Sequence, residues 1–101
     1  MNKHNEKLPM NFEKLKSTYP HLLTYMEEAG YSEIYVKGIH KEILRILAER
    51  DRHGWNDYLD IRKYYEQTSN THGNYRRKRA YLGVIMEFDL YGKLPDGRTP
   101  R

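Results

Sequence analysis

Arg76, Arg77, Lys78 and Arg79 are four consecutive cations. Side chains of this type bind phosphate well, the guanidinium groups through paired N–H donors and the ammonium as a point charge. They also carry the charge imbalance of the chain. Residues 1–70 hold 11 Lys and Arg against 11 Asp and Glu, whereas residues 71–101 hold 7 against 3, which supplies the whole formal net charge of +4. Positive charge concentrated in one place selects polyanions, nucleic acid foremost. A second basic set lies upstream, where Lys37, Lys41 and Arg45 recur every four residues and on a helix would share one face. Asn74 and Tyr75, just before the run, add hydrogen-bonding groups suited to phosphate oxygens or base edges.

Other chemistries find less support. None of the ten tyrosines has an Arg/His/Lys constellation around it. Tyr35, Tyr58, Tyr65 and Tyr81 are therefore expected as core or half-buried packing groups with hydroxyls at the rim. His4, His21, His40, His53 and His72 show no i, i+4 pair and have no cysteine partners, so no metal site is expected. There is no glycine-rich phosphate loop and no carboxylate dyad at useful spacing, and no cofactor is expected. Trp55 is expected to anchor a turn, and Arg62 with Lys63 to form an ordinary exposed pair. No apolar run is long enough to span a bilayer, and residues 1–7 lack the apolar core of a signal peptide. Absence of cysteine removes disulfides. The expectation is a cytoplasmic protein that does not engage a membrane.

The elements that must position these residues are all helical. With 101 residues, 32% of them charged, and a mean hydropathy of −1.01, the chain suffices for one domain whose apolar residues are placed economically. Asn11 can cap a short helix over Phe12–Ser17. Pro20 suits the first turn of a second, Pro20–Ala29, where its missing N–H is not needed. Ser32 can cap a third helix running to Arg52 or His53. Asp57 with Asp60 can cap a fourth, Tyr58–Gln67, and Thr71 or Asn70 a fifth, Asn74–Tyr91. Gly30, Gly54 and Gly92 stand where helices would end. The expected fold is all-α: a compact bundle of four main helices with a short leading one. Residues 1–11 are expected as a disordered or loosely ordered leader, 12–92 as the helical domain, and 93–101 as a tail or linker.

Two of the helices divide into faces. In the third, Val36, Ile39, Ile43, Ile46 and Leu47 form a core stripe, opposite Lys37, Lys41, Arg45 and Arg52, with Glu42 and Glu49 on one flank. In the fifth, Tyr81, Leu82, Ile85 and Phe88 point inward. Arg76 and Arg79 point away, Arg77 lies on a flank, and Lys78 is in line with the core but beyond the bundle's end. Gly83 continues the outer side, and its missing side chain would permit close approach of another helix or of a nucleic-acid backbone. If the helix starts at Asn74, the basic run fills its N-terminal turns and opposes the macrodipole, at a cost of about 0.3 kcal/mol or more per cation. A bound phosphate would reverse that sign.

Three segments together resemble a known family. They are Ser32-Glu33-Ile34-Tyr35 opening a long helix; Gly54-Trp55-Asn56-Asp57-Tyr58-Leu59-Asp60-Ile61 leading to Tyr64-Tyr65; and Tyr75-Arg76-Arg77-Lys78-Arg79-Ala80-Tyr81-Leu82-Gly83 followed by Phe88-Asp89-Leu90-Tyr91-Gly92. In this order they are similar to the N-terminal core-binding domain of tyrosine recombinases, the phage-integrase family, over residues 12–92. The match is one of polarity patterns. It implies a sterile-alpha-motif-like bundle that forms the non-catalytic half of a clamp around double-stranded DNA, in DNA integration and recombination. Catalysis would reside in a separate C-terminal domain of the same parent chain, so this segment is expected to have no enzyme activity and, isolated, to be monomeric. The positions that match the DNA-gripping role are Lys37, Lys41, Arg45 and Asn74 to Arg79. The alternative is a small helical protein-interaction domain docking an acidic partner. A helix-turn-helix regulator ranks last, because no helix follows a tight turn with a recognition face.

Overall fold

The four side-chain caps act locally, and each finds its backbone. In the computed structural model, which describes residues 8–69 and 71–96, Asn11 Oδ1 accepts the Lys14 N–H at 3.0 Å and opens α1, Phe12–Glu28. Ser32 Oγ accepts the Tyr35 N–H at 3.2 Å and opens α2, Glu33–His53. Asp57 Oδ1 accepts the Leu59 N–H at 2.8 Å and opens α3, Tyr58–Thr68. Thr71 Oγ1 accepts the Asn74 N–H at 3.1 Å and opens α4, His72–Tyr91. Gly54 and Gly92, at φ of 67° and 66°, terminate α2 and α4 in the left-handed region that favours glycine. The described residues form an all-α bundle of four helices. None of them is long and apolar enough to cross a membrane.

Pro20 does not begin a helix. The expected short leading helix and the second helix are one, with Pro20 inside α1. An interior proline forfeits one backbone hydrogen bond and crowds the preceding turn, at about 3 kcal/mol. Against that stands a single apolar stripe running through it. Leu15, Leu22 and Met26 are all fully buried, and the offsets of 7 and 11 residues between them keep one face inward only if the helix is continuous. Breaking it at Pro20 would strand one side of the stripe. Pro20 itself points to solvent.

α4 is the central element. It packs against α1, α2 and α3, whereas α2 and α3, consecutive in the chain, do not pack backbone against backbone. The core is built from Leu15, Leu22 and Met26 of α1, Val36, Ile39, Ile43 and Ile46 of α2, Tyr58, Ile61 and Tyr65 of α3, and Leu82, Val84, Ile85 and Phe88 of α4. Trp55 is buried at the α2–α3 turn, stacked on His53 at 4.7 Å between ring centroids. The close approach between helices occurs at Gly38, not Gly83. A Cβ on Gly38 would lie 2.7 Å from the Tyr81 hydroxyl oxygen, while one on Gly83 would meet nothing within 4 Å.

Two buried carboxylates organise the interior, and neither was apparent as buried from local pattern. At one end Asp89 of α4, 2% exposed, accepts through Oδ2 from the Tyr58 hydroxyl at 2.6 Å and from the Asn11 N–H at 3.3 Å. Lys14 Nζ donates to the Asp89 carbonyl at 2.8 Å. Asp89 thus fixes the start of α1 against α3 and α4. At the other end Glu42 of α2, expected on a flank, is buried and accepts the Tyr65 hydroxyl through Oε2. The hydroxyls of Tyr58 and Tyr65 are interior groups rather than rim groups.

The ends of the described chain are more ordered than expected. Residues 8–11, expected within a loose leader, pair with the α2–α3 turn. Met10 N–H donates to the Asn56 carbonyl at 3.0 Å, Tyr58 N–H to the Leu8 carbonyl at 3.0 Å, and Leu8 N–H to Asp57 Oδ2 at 2.8 Å. Leu94, expected in a tail, is buried against the core. The remaining leader residues 1–7 and tail residues 97–101 lie outside the described residues, as does Asn70.

Candidate nucleic-acid interface

The helix that carries the basic run starts two residues earlier than the sequence suggests. With His72 as its first residue, Arg76 to Arg79 fall in the second turn rather than the first. Because the field of the helix terminus fades within one turn, both the expected dipole penalty and its reversal by a phosphate at the N-terminus are weaker than expected. Thr71, whose Oγ1 accepts the Asn74 N–H, is the cap that sets this early start. The run therefore acts through its side chains and through where α4 places them.

α4 divides the run among three directions. Arg76 and Arg79 are exposed and make no ion pair or hydrogen bond among the described residues. Arg77 precedes Tyr81 by one turn, on the row that meets α2 at Gly38, and its guanidinium is held by Asn74 Oδ1 at 2.7 Å. Lys78, expected past the bundle's end, is half-buried, with Nζ 5.7 Å from the centroid of the Tyr65 ring. Tyr75 turns to α3, its hydroxyl donating to Glu66 Oε2 at 3.0 Å.

On α2, Lys37 and Lys41 are exposed. Lys37 pairs with Glu33 at 2.9 Å, an exposed i, i+4 contact that stabilises by well under 1 kcal/mol and exchanges readily for another anion. Lys41 has no ion-pair partner among the described residues. Arg45 departs from the expected outward stripe. Its guanidinium folds onto Glu42 Oε2 at 2.5 Å and lies 5.6 Å from the centroid of the Tyr65 ring. Burial alone would lower its pKa, but the hydrogen bond and charge of Glu42 raise it on balance, so it remains a cation.

The consequence is a junction. Arg45 of α2 and Lys78 of α4 both stand within 6 Å of one aromatic ring of α3, a cation–π distance. Gly38 meets Tyr81 while Arg45 and Lys78 share Tyr65, so ascending residues on α2 face descending residues on α4 and the helices are antiparallel. Lys41, Arg45, Arg77 and Lys78 consequently lie along one α2–α4 seam, and Arg76 and Arg79 stand apart on the outer side of α4. Tyr65 is the residue that sequence reasoning missed in this role. Its signal was present as an aromatic one heptad after Tyr58, but that spacing alone announces only core. Compared with known proteins, the chain matches no family model, no curated protein and no solved structure.

Proposed function

We propose that the protein is a DNA-binding module of the kind that the sequence resembles, a core-binding half-clamp of a tyrosine recombinase that grips duplex DNA chiefly through its phosphates. The observation that carries this reading is the junction at Tyr65, where cations from two helices gather on one seam continuous with Lys41 and Arg77. Cations gathered on a rigid helical scaffold cost little further ordering when a polyanion binds. The half-clamp reading leaves cleavage and rejoining of DNA to another domain of a parent chain in the cytoplasm.

The test is a titration of duplex DNA with the chain over a range of salt. Four to six phosphate contacts give a log–log slope of roughly −4 to −5. Replacing Lys41 and Arg77 together by alanine should flatten that slope by about two units and weaken binding while leaving helical content intact. Replacing Arg76 and Arg79 tests the outer side of α4 in the same way. Absence of binding at roughly 100 µM protein in low salt, weaker than nonspecific DNA binding requires, excludes the reading. A second reading, docking of an acidic protein partner, draws on Ile34 and Leu44. These apolar side chains are 84% and 45% exposed on the same face of α2 as Lys41. The same titration separates the two.

A further inference from the structure

Glu42 is the one feature of the seam that a simple phosphate grip does not require. It is a carboxylate set among the cations, its side chain 9% accessible. Oε2 accepts from two donors at once, the Tyr65 hydroxyl of α3 and the Arg45 guanidinium of α2. The Arg45 side chain is 39% accessible, so it stays partly open to solvent while one N–H is held. Lys78 stands at the same ring. Glu33, by contrast, faces its lysine at 80% exposure, where water screens it and its side chain is free to swing away. Glu42 can do neither. Its negative charge stays beside Arg45 in a poorly screened setting whatever binds there.

We propose that Glu42 is a built-in brake on anion binding, a carboxylate that competes with DNA phosphate oxygens for Arg45 and limits the affinity of the seam. The inference rests on the DNA-binding reading above. Arg45 has two acceptors of similar chemistry available, the Glu42 carboxylate and a phosphodiester. Binding exchanges one for the other, and the charge left behind on Glu42 opposes the incoming backbone. The Tyr65 hydroxyl remains on the carboxylate during that exchange, so Glu42 is not left bare when the guanidinium departs. Weak, rapidly reversible DNA contact follows from this arrangement.

Glu42→Gln tests it, because glutamine retains an acceptor for Tyr65 and Arg45 and loses only the charge. One additional uncompensated cation on the seam should tighten duplex binding roughly five- to tenfold at 0.1 M salt and steepen the log–log salt slope by about 0.9. Glu33→Gln, equal in formal charge but exposed, should tighten binding by less than half as much on a logarithmic scale. Unchanged or weaker binding by a folded Glu42→Gln protein overturns the brake, as does an equal gain from Glu33→Gln. If the substitution unfolds the chain, the unaltered protein gives the answer. The Arg45 Nε–H resonance must shift as duplex is added, and a resonance unmoved at saturation overturns the exchange. If the unaltered protein binds duplex but Glu42→Gln gains nothing, only the brake fails. If it binds no duplex, the DNA-binding reading falls and the brake with it.

Discussion

Asp89 and Glu42 make an instructive pair. Each is a buried carboxylate, each accepts a tyrosine hydroxyl from α3, and the two tyrosines, Tyr58 and Tyr65, are seven residues apart on one face of that helix. Their second partners differ. Asp89 holds a backbone N–H, that of Asn11, which is fixed on the main chain and cannot swing away. Glu42 holds the guanidinium of Arg45, a charged group on a flexible stem with access to solvent. The first knot is closed and serves the fold. The second is open on one side, and its cation is available to a ligand. The same donor–acceptor chemistry thus makes a closed or an open contact according to whether one partner is free to leave.

The largest expected difference between the knots is in stability. Asp89→Ala removes the acceptor of the buried Tyr58 hydroxyl and of the partly buried Asn11 N–H and should cost about 3 kcal/mol, lowering the melting temperature by roughly 10–20 °C. Glu42→Ala should cost about half as much, since Arg45 turns to water. Equal losses in thermal melts would erase the distinction. Asp89→Asn should recover part of the loss, because Asp89 Oδ1 meets no donor among the described residues and an amide retains the other oxygen.

Alkaline pH probes what the knots share. Burial, together with hydrogen bonding and charge from Asp89, raises the Tyr58 pKa far above its ordinary 10.0. Burial and Glu42 do the same for Tyr65. Up to about pH 10 both folded and unfolded chains keep these protons and stability does not change on their account. Above it the unfolded chain releases protons that the folded chain retains, so stability should fall by up to about 1.4 kcal/mol per pH unit for each tyrosine. Two tyrosines should therefore escape the rise in tyrosinate absorbance for as long as the helical signal persists. Their ionisation within an intact fold would contradict the closed environment described for both.

Hydroxyl removal sharpens the contrast more gently. Tyr58→Phe should destabilise by about 1 kcal/mol and leave duplex affinity unchanged. Tyr65→Phe should cost about the same in stability and also weaken duplex binding, because Glu42 then holds Arg45 without a competing donor. The smallest effects lie at two of the glycines inside helices, Gly38 and Gly83. Gly83→Ala fills open space and should stabilise by about 0.5–1 kcal/mol. Gly38→Ala drives a methyl group into Tyr81 and should destabilise by about 1 kcal/mol net. Chemical denaturation measures both.

The helix caps were legible in the sequence because a cap is decided by neighbours two or three residues away. Asn11, Ser32, Asp57 and Thr71 all act where local chemistry places them. Pro20 was misread because its local preference for a helix start is overruled by burial of Leu15, Leu22 and Met26, which is a property of the bundle. Glu42 and Asp89 were missed as buried groups because their partners stand 23 and 31 residues away. A carboxylate on a helix flank looks solvated until the tyrosine that receives it is known. The basic residues were visible from the first, but their division between the seam and the outer side of α4 depends on which row of that helix meets α2.

Asp57 places its two oxygens on different tasks, one on the Leu59 N–H at the head of α3 and the other on the Leu8 N–H of the leading segment. Leu8 and the first turn of α3 are therefore laced through a single side chain and should open together. Hydrogen exchange at Leu8 and at Leu59 should proceed at matched rates, faster than in the core of α4. Mechanical pull on the leading segment would be felt first as unwinding of the third helix, so a cut made just before Met10 would shorten α3 as well as the segment it removes.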